Sequence, residues 1–192
     1  EIRFATWFSD SILARTHFII PVNNAAAIEF DLKALESDLR EAARTWDDHL
    51  REALITEAGD VEGKRLAMQY SAGFPSGYRE EATVLTAVND IKHMESLDNA
   101  DAMSMLLYRP QEDAQGSLRF KLYRREQPML LSDVLPMLEN MGLTVIGETP
   151  YKIERKDGSL CWVMDFSLAS QTQAHLDPEQ IKDIFQDAFA AT

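Results

Sequence analysis

Four histidines, one cysteine and an excess of carboxylates are the raw material for chemistry in this 192-residue chain. The nearest approach to a phosphate loop is GDVEGKR at 59–65, but only three residues separate Gly59 from Gly63. No Ser or Thr follows Lys64 to hold magnesium, so a turn between helices is the favoured reading. No G-x-G-x-x-G joins a strand to a helix, as the pyrophosphate of a dinucleotide would require. His49 and Glu52 lie one helical turn apart, and Asp48 and Glu52 lie four residues apart, spacings that can place metal ligands on one face. Arg40, Arg44 and Arg51 are interspersed among them, which favours a solvated, salt-bridged helix face instead. His93-x-Glu95 has no P-C-x-x-C partner and reads as helix surface rather than as part of a zinc deaminase site. His17 sits in an apolar strand; a histidine hydrogen-bonded to backbone is the stronger reading, since no nucleophile or acid partner is identifiable. Cys161, beside Trp162 in a strand, reads as a buried inert thiol.

Two polar features remain. Asp165 interrupts the apolar run WVMDF; a semi-buried carboxylate there must find donors, unless the face opposite Trp162 and Phe166 is simply wet. Arg119, Lys121, Arg124 and Arg125 form a basic cluster in a chain of net charge -13. A solvated sheet face explains the cluster, and the competing reading is an interdomain contact with an acidic domain or subunit. The net charge argues against nucleic acid and against an anionic membrane surface. No apolar run reaches the roughly 18 residues of a membrane helix, which makes a cytoplasmic address the expectation. A lone cysteine permits no internal disulfide and no thiolate metal cluster. The opening EIRFATWF is already strand-like, which suggests an internal piece of a longer polypeptide.

The elements that must position these residues are legible from periodicity. IRFATWF and ARTHFIIPV flank Ser9-Asp10-Ser11 as a hairpin. Leu32, Leu35, Leu39, Ala42, Trp46, Leu50 and Leu54 recur at helical steps, predicting one helix of about 40 Å between Asp31 as N-cap and Gly59. Helices are expected over 61–71 and 83–97, divided by AGFPSGY. MSMLLYRP and LRFKLYRR, joined by QEDAQGS, form a second hairpin, with Leu118, Phe120 and Leu122 on one face and Arg119, Lys121 and Tyr123 on the other. In LLSDVLPMLENMG, Ser132 is the expected N-cap, Pro136 the fourth helical residue and Gly142 a left-handed stop. LTVIGETPYKIER and LCWVMDFSLAS flank Lys156-Asp157-Gly158-Ser159 as a third hairpin. A last helix opens on Asp177-Pro178.

Residues 118–192 therefore read strand, helix, strand, strand, helix, one strand short of the ferredoxin-like βαββαβ pattern. The first hairpin and long helix repeat part of that order. The expected organisation is α+β: a partial module over 1–58, a helical connector over 59–100 and a βαββα module over 101–192, with an antiparallel sheet and helices on one face.

Several phrases together, FSDSILARTHF, FPSGYREEATVLTAVNDI, MLLYRP, LRFKLYRR, LSDVLPMLENMGLTVIGETPY and WVMDF, resemble the N-terminal region of the large bacterial NAD-specific glutamate dehydrogenases. The resemblance spans nearly the whole chain but a minor part of that long family. It implies ACT-like regulatory modules lying ahead of a catalytic domain that oxidises glutamate to 2-oxoglutarate and ammonia. The catalytic lysine, the glutamate-binding groups and the NAD site would lie outside these residues, so no catalytic, cofactor or metal residue is expected here. Implied partners are the rest of the polypeptide, further subunits of a homo-oligomer and, in an alternative reading, an amino-acid effector. ACT domains that bind amino acids commonly carry a glycine between first strand and first helix, and RREQPMLLSD has none. The missing last strand leaves a sheet edge to be filled by MSMLLYRP, by a neighbouring chain or by sequence after Thr192.

Overall fold

A computed structural model describes residues 3–7, 15–19, 21, 31–99, 102–109, 118–140 and 142–170. The chain divides into two compact units at Arg44 and Thr45. In the first, β1 (Arg3–Trp7) and β2 (Arg15–Ile19) pair antiparallel, Arg3 opposite Ile19 and Trp7 opposite Arg15. Helix α1 (Leu32–Ala42) starts on Asp31, whose carboxylate accepts from the amides of Lys33 at 2.9 Å and Ala34 at 3.2 Å. That satisfies two of the amides a helix start leaves without partners.

The single long helix expected from the apolar stripe is two helices. After Ala43 the chain turns, and α2 (Trp46–Ala58) begins on Thr45 with a capping box. The Asp48 carboxylate accepts from the Thr45 amide at 2.9 Å, and the Thr45 hydroxyl accepts from the Asp48 amide at 3.3 Å. This reciprocal cap supplies a new helix start inside the stripe. The stripe divides with it: Leu32, Leu35 and Leu39 are exposed, whereas Leu50 and Leu54 are fully buried.

The second unit continues with α3 (Asp60–Tyr70), a 3-10 turn over Ser71–Gly73, α4 (Ser76–Glu81) and α5 (Val84–Glu95). Four strands follow: β3 (Met103–Tyr108), β4 (Leu118–Arg125), β5 (Leu143–Glu154) and β6 (Leu160–Ser170), with α6 (Leu131–Asn140) between β4 and β5. The sheet is antiparallel in the order β3-β4-β6-β5. Segments 111–117 and 177–192, where a loop and a last helix are expected, lie outside the described residues.

This order settles which of the three expected occupants fills the sheet edge. In a βαββαβ fold the last strand lies beside the first. Here β4, α6, β5 and β6 supply the βαββ part, and β3 occupies that last place, hydrogen-bonded along β4 from Met103 opposite Arg124 to Tyr108 opposite Arg119. The MSMLLYRP segment thus covers the edge from the N-terminal side of the module.

Helix α6 differs in detail from expectation. It begins at Leu131, because the amides of Asp133 and Val134 donate to the Leu130 carbonyl. Pro136 is consequently its sixth residue, not its fourth. The proline lies on the exposed side of the helix, away from Val134 and Leu138, which are buried. Gly142 at φ +77° turns the chain into β5, as expected of a left-handed stop. Pro150 is tolerated inside β5 because, among the described residues, that strand pairs only with β6 and lies at the end of the sheet order.

Both faces of the sheet are covered. Phe120, Leu122, Met164, Phe166 and Leu168 pack with Val134 and Leu138 of α6. On the opposite face Tyr123, Tyr151, Ile153, Cys161 and Val163 share a core with Leu54, Leu66, Tyr70, Tyr78, Ala87, Ile91 and Met94 of the helical segment. The face carrying Arg119, Lys121 and Asp165, expected to be solvated, is therefore roofed by α4 and α5. A strand with neighbours on both sides sits in the middle of the sheet, and here helices cover both its faces.

Candidate functional site

Beneath that roof lies a cluster of buried polar side chains. Asp90 is placed by α5, which starts on Thr83: the Thr83 hydroxyl accepts from the Thr86 amide at 3.1 Å. Counting from that cap puts Ala87, Ile91, Met94 and Asp90 on the stripe that faces the sheet. Asp90 is 0% exposed and Lys121 2% exposed. The Lys121 ammonium donates to Asp90 Oδ2 at 2.7 Å, the Tyr78 hydroxyl donates to the same oxygen at 2.6 Å, and the Tyr123 hydroxyl donates to Oδ1 at 2.8 Å. Three donors on one carboxylate are what a buried anion needs to offset lost hydration. Burial first, and the Asp90 charge second, push the Tyr78 and Tyr123 hydroxyls far above the ordinary tyrosine value, so both remain protonated donors.

The cluster continues to Asp165 on β6. Arg119 donates to its Oδ2 at 3.0 Å and to Ser167 Oγ at 2.6 Å. The Lys121 ammonium stands 4.0 Å from the same Oδ2. Burial raises the Asp165 carboxyl above the usual aspartate value, with Lys121 and Arg119 pulling against it. Its Oδ1 is buried and has no hydrogen-bond partner. Tyr108, pushed up to about 12 mainly by burial, and Tyr151, whose hydroxyl donates to Glu81 at 2.6 Å, stand at the same place. Asp165, Arg119, Lys121, Tyr108 and Tyr151, with Tyr78, line a cavity of about 110 Å³ between α4, α5 and the sheet.

Other residues singled out in the sequence lie apart from this cluster. Asp48 is held by the Thr45 cap, and Lys64 bonds Asp60 at 2.8 Å within α3. Gly59 and Gly63 make a helix junction, with Gly63 buried against α2. His17 is exposed on β2 opposite Ala5. His93 and Glu95 are not plain helix surface. The His93 ring stacks on Tyr123 at 4.7 Å with its Nδ1 2.8 Å from Ser104 Oγ. Glu95 accepts from Tyr70 at 2.7 Å and from Arg155 at 3.1 Å. Among the described residues no group of three or more His, Cys, Asp or Glu is placed to hold a metal ion, and no helix is long and apolar enough to cross a membrane.

Cys161 is fully buried, and burial pushes its thiol up to about 11. At pH 8 its thiolate fraction is roughly a hundredfold below that of a free cysteine. Native protein is therefore expected to react with a thiol reagent only as fast as it opens, and with one equivalent once unfolded in urea; rapid native labelling at pH 8 would contradict the burial.

Comparison with known proteins matches three successive segments of the chain. Residues 1–47 match the family model described as glutamate dehydrogenase, ACT2 domain; residues 53–97 match glutamate dehydrogenase, helical motif 2; residues 102–181 match glutamate dehydrogenase, ACT3 domain. The chain belongs to the ACT-domain region of the NAD-specific glutamate dehydrogenase family. It is 36% identical over 189 residues to the NAD-specific glutamate dehydrogenase of Pseudomonas aeruginosa, covering 98% of this chain and 12% of that protein. The corresponding protein of Halomonas elongata is 39% identical over 186 residues, covering 97% and 12%. That of Mycobacterium tuberculosis is 31% identical over 190 residues, covering 93% and 11%. The segment thus spans about an eighth of the relatives it matches.

In these terms the buried cluster joins two of the matched segments. Asp90 and Tyr78 come from residues matching helical motif 2, whereas Lys121, Tyr123, Arg119 and Asp165 come from residues matching ACT3. The sequence singles out Arg119 and Lys121 as part of a basic cluster and favours a solvated sheet face for it; here Arg119 bonds Asp165 and Lys121 bonds Asp90. Asp90 escaped that reading, although one signal was present: an aspartate inside an otherwise apolar helical stripe. Arg124 and Arg125 lie at the far end of β4, opposite Trp162 and Cys161, and are partly exposed.

Proposed function

We propose that the chain is a non-catalytic regulatory and assembly segment of a large NAD-dependent glutamate dehydrogenase. The whole enzyme would convert L-glutamate to 2-oxoglutarate and ammonia, with NAD held elsewhere in the polypeptide, in the cytoplasm. The observation that supports this most strongly is the Asp90 cluster. Its ionised groups are spent on one another across the junction between the helical segment and the sheet, which suits a rigid coupling element. The proposed organisation keeps an ACT-like piece at the start, a helical connector to about residue 100 and an ACT-like module after it.

The partners of this reading are the remainder of the polypeptide and further copies of it. Arg124 and Arg125, partly exposed at the end of β4 in an acidic chain, suit the interdomain contact expected of the basic cluster, and Arg119 and Lys121 serve the internal junction. Reversing both charges, R124E with R125E in the intact enzyme, is expected to change oligomer size or its salt dependence; an unchanged sedimentation profile between low and high salt would overturn that contact. Added alone to glutamate and NAD, the 192-residue chain should form no NADH. Saturable NADH formation proportional to chain concentration would overturn the assignment.

A further inference from the structure

Two carboxylates of the roofed cluster share one ammonium unequally. Lys121 stands 2.7 Å from Asp90 Oδ2 and 4.0 Å from Asp165 Oδ2. Asp165 is 6% exposed; Arg119 holds its Oδ2 at 3.0 Å, and its Oδ1 is buried with no hydrogen-bond partner. The charged groups around it are Arg119 and Lys121 on β4, Asp90 on α5 and Glu81 on α4. Carboxylates there outnumber cations by one. The hydroxyls of Tyr78 on α4, Tyr108 on β3 and Tyr151 on β5 are held above the ordinary tyrosine value, chiefly by burial, and stay neutral. His93 stacks on Tyr123 and is not part of the cavity wall.

A buried anion with an oxygen that no donor reaches is costly, and a proton is the smallest group that removes the cost. Protonation cancels the excess charge, turns Oδ1 from an acceptor without a donor into a donor beside a hydroxyl-lined cavity, and leaves Lys121 to Asp90 alone. Burial, opposed by Lys121 and Arg119, raises the Asp165 carboxyl in the same direction. Glu81 and Thr83, exposed on the cavity wall, give protons a route from solvent.

We propose that Asp165 is a proton switch at the junction of the helical segment and the sheet: neutral Asp165 tightens the hold of α4 and α5 on the sheet, and its ionisation loosens it. One proton moves between solvent and the carboxyl, and no other reactant is needed. The regulatory consequence rests on the reading of this segment as a coupling element.

The folded-state value of Asp165 lies above that of the unfolded chain, so its contribution to stability is complete below the unfolded value and is lost as pH rises through the folded one. D165N keeps the neutral form at every pH. Urea unfolding of the 192-residue chain between about pH 4 and pH 7 should therefore show the folding constant of D165N rising relative to wild type, about tenfold for each pH unit between the two values. Only the trend is read, since the offset also contains the weakened bond to Arg119. Carboxylates held low by their partners, Glu57 by Lys92 and Asp157 by Ser159, titrate in both proteins and cancel from the comparison. In the wild-type chain the carbon-13 shift of the Asp165 carboxyl, assigned through its backbone, should titrate above the ordinary aspartate value of about 3.9. A carboxyl titrating at or below that value, or parallel stability curves for wild type and a folded D165N, would overturn the switch; the carboxyl titration decides alone if D165N does not fold. In the intact enzyme D165N should flatten the pH dependence of oligomer size or of glutamate-dependent NAD reduction. An unchanged profile beside a raised Asp165 carboxyl would overturn the regulatory consequence and leave the switch standing.

Discussion

Asp90→Ala is expected to destabilise the second unit by about 3 to 5 kcal/mol, the cost of stranding a buried charge. Lys121, 2% exposed, would lose its short ion pair, and two tyrosine hydroxyls would lose their acceptor at once. Asp90→Asn keeps an acceptor oxygen of the same shape and should cost less, although Lys121 then faces a neutral partner. Lys121→Met strands the opposite charge and should also destabilise, whereas its combination with Asp90→Asn should cost less than the two single changes summed. Urea unfolding of the chain followed by circular dichroism gives these values. A loss below about 1 kcal/mol for Asp90→Ala would match an exposed pair rather than a buried one.

Gly63→Ala should lower stability by about 1 to 3 kcal/mol, through overpacking against backbone. In an exposed helix interior the same change is worth about 1 kcal/mol of stabilisation, because alanine is the better helix former. Here the added methyl would lie 2.4 Å from Ile55 Cα and 2.6 Å from both Ile55 N and the Leu54 carbonyl oxygen. Backbone on the neighbouring helix cannot swing aside as a side chain can, so α2 and α3 must separate. The nearby Gly59 has open space around its Cβ position but a φ of +81°. Gly59→Ala therefore tests conformation where Gly63→Ala tests packing. A stabilised Gly63→Ala would show that the two helices do not approach this closely.

The same glycines show what was readable in the sequence. The spacing of GDVEGKR fails the requirements of a phosphate loop and favours a turn between helices; Gly59 alone makes that turn, and the rest of the stretch lies in α3. The reason for Gly63, a close approach between two helices, involves residues that one strand of text cannot place side by side. The hairpins and the Gly142 corner were legible because alternation and turn residues are local signals. The break at Thr45 was hidden because an apolar stripe ran straight through it, although Thr45 and Asp48 spell a capping pattern.

The candidate site was legible in pieces. Arg119, Lys121 and Asp165 each stand out in the sequence, and alternation favours a solvated face for the basic pair while leaving Asp165 either wet or in need of donors. That inference holds for a sheet with one face in solvent. It fails here because α4 and α5 cover the second face. Asp90 lies 31 positions from Lys121, so nothing local announces their pairing.

The most direct measurement takes the intact enzyme with and without Asp90→Asn. Glutamate-dependent NAD reduction and oligomer size are followed across the temperature range in which this segment loosens. If the segment couples and assembles subunits, activity or oligomer size should change together with the loss of its folded signal, even though the substitution lies outside the chemistry. Wild-type rate and assembly in an enzyme whose segment has demonstrably melted would contradict a regulatory and assembly role.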